Sequence, residues 1–112
     1  MPIIQKGSSN NIAASTSYPN LLSGEFFEFL PYNALIEVGL NASAVGILID
    51  FISGTDVIAK DYVPLIKATS PIYPDEFTLQ DIAAAGERLV LAARNTTGGA
   101  LTLLYTVRIS PI

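Results

Sequence analysis

The sequence contains no cysteine, no histidine and no tryptophan. Without cysteine the chain can form neither a disulfide nor a thiolate nucleophile, and without histidine it lacks the commonest general base and metal ligand. These absences remove most of the side-chain combinations that enzymes use for nucleophilic and metal-assisted chemistry. We therefore predict that the chain is not an enzyme and that it uses no cofactor and no metal ion.

Charge is also scarce. Only 14% of the 112 residues are charged and 50% are apolar, whereas about a quarter of the residues of a typical soluble domain are charged. A chain of this length folds as one domain with one modest core. The apolar surplus therefore needs a place outside that core, and three are open: a membrane, a ligand groove, or contacts with neighbouring subunits.

Neither a bilayer nor a nucleic acid suits this composition. The most apolar run, residues 44–52, is far shorter than a membrane-spanning helix and contains Asp50. The six Lys and Arg residues are dispersed in a chain of net charge −4, whereas nucleic-acid binding needs clustered cations. We expect no membrane span and no direct contact with nucleic acid.

Residues 1–23 are rich in Ser, Asn and Ala and show no periodicity. Such a segment is typical of an extended N-terminal arm. Two interpretations are open: a floppy terminus, or an arm that becomes ordered by lying across a neighbouring subunit.

Residues 24–112 show short β-rich runs between turn residues, which is the pattern of an all-β protein. Alternation predicts a strand at 35–40, and a nearly continuous apolar run predicts another at 45–53. The turn at 53–56 then leads to a further strand at 57–63. Residues 25–30 (EFFEFL) also suggest a strand, whereas prolines limit the next stretch to short or edge strands. We predict a single antiparallel β-sandwich, similar to a jelly roll, preceded by the extended arm.

The two clearest strands lie near the C-terminus. Residues 88–94 and 101–109 alternate around the turn at 95–100 and suggest a final hairpin. In this arrangement Val90 and Leu104 lie on the otherwise polar faces of the two strands. These two side chains are therefore candidates for contact with another subunit.

Acidic and aromatic residues leave two other kinds of site to consider. The acids fall mainly in turns, where solvation explains them; calcium binding by Asp75, Glu76 and Asp81 is the minor alternative, because no twelve-residue loop pattern is present. The aromatic residues could line a platform for carbohydrate, but packing in the core or an interface explains them better.

Residues 81–103 (DIAAAGERLVLAARNTTGGALTL), continued by Val107-Arg108-Ile109 and preceded by residues 24–31 (GEFFEFLP), resemble the small jelly-roll virion proteins of bacterial viruses. The similarity covers roughly residues 24–110. Residues 44–48 (AVGIL) are also similar to a stretch in the head-decoration proteins of tailed phages, although the C-terminal half departs from that pattern. The resemblance implies a capsid component and transfers no catalytic residue.

We therefore expect a virion structural protein, made in the host cytoplasm, that works as a coat, vertex or decoration subunit. Its partners are then identical subunits and other capsid proteins, and it forms a homo-oligomer. The alternative is a small β-sandwich module that binds carbohydrate or lipid in an apolar groove. The predicted subunit-interface residues are Ile3, Ile4, Leu21, Leu22, Ile72, Tyr73, Val90 and Leu104.

Overall fold

The computed structural model describes residues 3–112, and within them it contains nine strands and no helix. No segment of this range is a helix with the length and apolar character needed to cross a bilayer. The strands are β1 (Ile4–Ile12), β2 (Ser17–Tyr18), β3 (Ala34–Ala42), β4 (Ile47–Ser53), β5 (Asp56–Tyr62), β6 (Leu65–Ile66), β7 (Leu79–Ala83), β8 (Leu89–Asn95) and β9 (Leu101–Pro111).

The strands form two sheets. Sheet A has the order β1-β9-β3, with β7 and the short β6 both pairing with the far side of β3, and sheet B has the order β2-β8-β4-β5. The pairing is nested along the chain: β1 pairs with β9, β2 with β8, β3 with β7, and β4 with β5. All of these pairs are antiparallel, so the chain is arranged like one long hairpin that folds over to give two layers.

One core lies between the sheets. Alternate residues of β3 and β9 on sheet A, and of β4 and β8 on sheet B, point inwards and are almost completely buried. This period of two is what a strand with one face against a core requires. The architecture is therefore all-β with two facing sheets, compatible with the predicted β-sandwich. The largest fully buried side chains include Phe27, Phe51, Ile36, Leu40, Ile49, Leu89, Leu91, Leu103 and Ile109.

The predicted free arm is not confirmed. Residues 4–12 form β1, which pairs with β9 over nine consecutive positions of this same chain, and β2 pairs with β8. Ile12 is fully buried and Leu22 is part of the core, so both residues fix the segment to the sandwich. The sequence pattern did not predict this strand because residues 5–11, between Ile4 and Ile12, carry no apolar side chain. Met1 and Pro2, which belong to the same predicted arm, lie outside the described residues.

The predicted final hairpin is wrong. β8 and β9 lie in opposite sheets, because the loop after Asn95 carries the chain from sheet B to sheet A. The Asn95 amide holds this loop: its Nδ2 donates to the carbonyl oxygens of Ile12 (3.1 Å) and Gly99 (2.8 Å). Alternation reveals which face of a strand is buried but not which strand is its neighbour.

The aromatic segment at 25–30 is also not a strand. It forms turns in which Phe27 and Leu30 are buried while Phe26 and Phe29 are exposed, and its only β-bridge joins Phe29 to Arg88, the residue before β8. Two buried residues three positions apart suit a turn better than the alternation of a strand.

Candidate interaction surface

The predicted interface residues are spread over several regions of the molecule. Leu22 has no exposed surface, so a partner cannot contact it in this structure, and Leu21 and Ile4 are half-buried against the core. Ile3 is exposed at the start of β1. The structure therefore leaves only part of the N-terminal set accessible.

The C-terminal candidates do not share a surface. Val90 lies half-buried on the outer face of sheet B and Leu104 lies half-buried on the outer face of sheet A. Because the core separates these faces, one partner cannot cover both by lying flat on a single face. Ile72 and Tyr73 are exposed, and they belong to a segment that covers part of sheet A.

An apolar row crosses one end of the outer face of sheet A. Leu35 of β3 stands opposite Ser110 of β9 on one side and Ile82 of β7 on the other, and Ile82 is 65% exposed. Ile3 and Ile112 are also exposed, and alternation places them on the same face. We call Ile3, Leu35, Ile82 and Ile112 the apolar row. Ile82 and Ile112 were not among the predicted interface residues, although the alternation in residues 79–83 was a signal that could have located Ile82.

A polar row lies next to the apolar row. Arg108 of β9 stands between Gln5 and Glu37, and Gln80 completes the row on β7. Arg108 Nη1 donates to Gln5 Oε1 (3.1 Å), and its Nε lies 3.7 Å from Glu37 Oε1, an ion pair too long to be a hydrogen bond. Gln80 Nε2 donates to Glu37 Oε2 (3.2 Å). These contacts allow a charged carboxylate with 5% exposure to stay buried on a sheet face.

Tyr73 covers the polar row from above. Its hydroxyl donates to Glu37 Oε1 (3.2 Å), and the Arg108 guanidinium carbon lies 4.4 Å from the centre of its ring. The Phe77 ring packs edge-on against Tyr73 with 5.1 Å between the ring centres. Tyr73 therefore serves the chain's own packing while 42% of its surface stays exposed.

Gly39 permits the segment that contains these rings to lie close to β3. A Cβ atom at this position would come within 2.6 Å of Pro71 Cβ and 2.9 Å of the Phe77 ring. Real Cβ atoms do not approach so closely, so only glycine fits. We call residues 67–78 the covering segment.

Glu76 anchors the covering segment. Its carboxylate accepts hydrogen bonds from Lys67 Nζ (2.8 Å), the Ile72 amide (2.9 Å) and Asn41 Nδ2 (3.3 Å). The hydrogen bond from Lys67, followed by that from the Ile72 amide, lowers the pKa of the Glu76 carboxyl below its usual range. The predicted calcium alternative is not supported by this geometry, since the Glu76 oxygens already bind donors of the protein. Within residues 3–112, no group of three acidic side chains is placed to hold a metal ion.

The outer face of sheet B carries a charged cluster beside a small cleft. Arg94 forms ion pairs with Asp50 (3.5 Å) and Asp61, and the Asp61 amide donates to Asp50 Oδ1 (2.8 Å). The hydrogen bond from Arg94 lowers the pKa of the Asp61 carboxyl. The cleft has a volume of about 130 Å³. Its lining includes Ser17, Tyr18, Leu48, Asp50, Ala92 and Arg94.

The three arginines of the C-terminal part lie apart and pair separately with carboxylates. Arg88 immediately precedes β8 and Arg94 lies near the end of that strand of sheet B, whereas Arg108 lies in β9 of sheet A. Each guanidinium has its own carboxylate: Glu28 for Arg88, Asp50 and Asp61 for Arg94, and Glu37 for Arg108. The three arginines therefore do not form one positive stripe.

Comparisons with protein-family models, with curated proteins and with solved structures find no match to this chain.

Proposed function

We propose that the chain is a structural subunit of a virion, a coat, vertex or decoration component of a bacteriophage capsid. In this function it packs against identical subunits and other capsid proteins, within particles assembled after synthesis in the host cytoplasm. The protein then acts through its shape and its contact surfaces rather than through a reaction.

The observation that carries this proposal is the nested strand order. Without the two-residue β6, the sheets have the orders β1-β9-β3-β7 and β2-β8-β4-β5, with the first strand paired to the last and the second paired to the last but one. Eight strands in two sheets with this nesting are what a jelly roll requires, and we propose that fold for the chain. Jelly rolls occur in viral capsid proteins and in lectins.

The surface of the molecule favours a capsid subunit over a lectin. The apolar row holds three side chains that are each more than half exposed, and such exposed apolar groups mark contact sites when they are contiguous. The cleft on sheet B, by contrast, has about 130 Å³, whereas small-molecule sites usually have about 300 Å³ or more. Its one arginine already binds two carboxylates.

Symmetry makes modest contacts sufficient for such a function. In a closed ring or shell each interface is repeated many times, so weak pairwise contacts add up to a stable particle. The net charge of −4 favours a position facing outwards, because a surface that faces a nucleic-acid genome is normally basic.

Light scattering and electron microscopy of the purified protein test this proposal. We expect a mass that is a multiple of the 11.9 kDa chain, and rings, shells or other regular particles on the grid. A monomer that persists at the highest attainable protein concentration would rule out self-assembly. Binding of that monomer to carbohydrate or lipid would instead support the ligand-binding module.

A further inference from the structure

β1 leaves one edge of sheet A open. It pairs with β9 at all nine of its positions without a bulge, and no segment of residues 3–112 pairs with its other side. Each strand edge carries backbone N–H and C=O groups that need hydrogen-bond partners. A nine-residue strand offers an edge of about 30 Å at about 3.3 Å per residue.

The open edge lacks the features that usually prevent strand pairing. It contains no proline, and its only charged side chain is Lys6. The Lys6 ammonium lies 2.6 Å from both carboxylate oxygens of Glu25 in the same chain, so its charge is already balanced. The remaining side chains between the two terminal isoleucines are neutral and small or polar.

Two copies of β1 can pair antiparallel over all nine positions without placing like charges opposite each other. If the two copies are related by a two-fold axis at Ser8, Ile4 of each copy stands opposite Ile12 of the other, and Lys6 stands opposite Asn10. Ile12 is fully buried in its own chain, so the new contact rests on backbone hydrogen bonds and on the neutral outer-face pairs, Gln5 opposite Asn11 and Gly7 opposite Ser9. The two Lys6 positions are offset by about 13 Å along the strands, a distance beyond the Debye length of about 8 Å at physiological salt.

We propose that the open edge of β1 pairs with the same edge of a second copy of this chain, antiparallel and about a two-fold axis at Ser8. The two copies of sheet A then form one continuous sheet across the dimer. A two-fold contact of this kind uses the same surface on both subunits, as most soluble homo-oligomers do. The contact deepens the proposed function, on which it rests, by identifying one subunit interface of the assembly.

Spin labels on single cysteines test this contact in the full-length chain. Because the protein has no native cysteine, the variants Gln5→Cys, Ser9→Cys and Asn11→Cys each carry one label, at exposed positions on the outer face. An axis at Ser8 offsets the two labels by about 7 Å along the strands at position 9 and by about 20 Å at positions 5 and 11. Pulsed electron paramagnetic resonance should therefore give one short distance and two longer ones that are equal.

The label on Lys60→Cys in β5 is the matched control, since this residue is also exposed in a strand at a sheet edge. We expect no short distance there. Circular dichroism confirms that each labelled variant keeps its strand content, and light scattering on the same samples reports the mass.

The outcomes separate the two proposals. Oligomers whose β1 labels give only long distances, or unequal distances at positions 5 and 11, overturn the β1 contact and leave the proposed function standing. The expected distances in a dimer that never assembles further support the contact and contradict the capsid function. A monomer overturns both.

Discussion

β1 and β5 are long strands at the edges of the two sheets, and they end those sheets differently. β1 is regular along its whole length, whereas the pairing of β5 with β4 shifts register twice. Within β5, Asp61 adopts a left-handed backbone (φ 54°), and its amide donates to the Asp50 side chain instead of facing outwards. Bulges, charges and occupied amides at an edge prevent pairing with another chain. The molecule therefore protects the edge of sheet B and leaves that of sheet A available.

The outer faces of the sheets differ as well. The covering segment lies over part of sheet A and leaves the apolar row exposed beside it, whereas sheet B presents the Arg94 cluster. If assembly uses sheet A, the segment limits which part of that face a partner can reach. We therefore expect contacts at the β1 side and at the apolar row, and few contacts on sheet B.

The largest expected effect on assembly comes from a charge placed on the outer face of sheet A rather than on that of sheet B. Leu104 lies beside Ser9 of β1 on sheet A, and Leu104→Lys places a charge where a partner would exclude water. We expect this variant to remain folded and, by light scattering, to form no assembly larger than the dimer made by the β1 edges. The matched variant Val90→Lys puts the same charge on sheet B and should assemble like the parent chain. If assembly survives Leu104→Lys but is lost in Val90→Lys, then the outer face of sheet B, and not that of sheet A, carries the subunit contact.

The next largest expected effect is a loss of stability when the covering segment can no longer lie close to β3. Gly39→Ala forces a Cβ atom against Pro71 and Phe77, and overpacking of this kind costs about 1 to 3 kcal/mol of unfolding free energy. Urea denaturation measures the loss, and limited proteolysis should show earlier cleavage within residues 67–78. Gly98→Ala is the control, because its new Cβ meets no atom within 4 Å and should change stability by less than about 0.5 kcal/mol. Equal losses in the two variants would show that the segment is not held against β3.

Acid should weaken the same segment. The lowered pKa of Glu76 means that folding favours its ionised form, so its contribution to stability is present above about pH 4.5 and is lost as the pH falls through the lowered value. Glu28 and Asp61 act in the same direction. The unfolding free energy should therefore fall between pH 6 and pH 3.

Glu76→Gln should reduce this dependence on pH, because glutamine cannot gain the proton that breaks the Lys67 ion pair. Urea denaturation at a series of pH values gives the slope for each variant. Asp75→Asn removes a neighbouring exposed carboxylate that makes none of these contacts, so it is the matched control. If the unfolding free energy depends on pH in the same way in Glu76→Gln and in the parent chain, the Lys67–Glu76 ion pair does not help to keep the covering segment packed against β3.

The sequence predicted the strands whose own side chains alternate, and it missed the features set by distant partners. β3, β4, β8 and β9 lie close to the predicted ranges because one face of each packs on the core. β1 was missed because its middle is polar, and the sheet assignment of β8 and β9 was missed because alternation does not identify neighbours. Gly39, buried in the middle of a strand, was the sequence feature that could have suggested a segment packed on the outer face.

The sequence was also unable to place the interface candidates relative to one another. Alternation located Val90 and Leu104 on outward faces, which the structure bears out by their half-buried positions. It could not place those faces on opposite sides of the core, because that depends on the loop held by Asn95. For the same reason the apolar row, assembled from four separate segments, has no continuous signal in the sequence.

The smallest expected effect concerns Lys6, which separates two explanations of the open edge. Lys6→Gln removes an exposed ion pair with Glu25, so the unfolding free energy should fall by no more than about 1 kcal/mol. Two charges offset by about 13 Å repel each other by about 0.3 kcal/mol in water, so dimer affinity, measured by sedimentation, should rise less than about twofold. If the Lys6 charge instead prevents strand pairing, as the charges of β5 do, its removal should increase dimer affinity at least tenfold. Screening by 1 M salt should then produce the same increase in the parent chain. A large gain in affinity would thus place β1 with β5 among the protected edges, whereas a small gain leaves backbone pairing between the two β1 strands as the source of the contact.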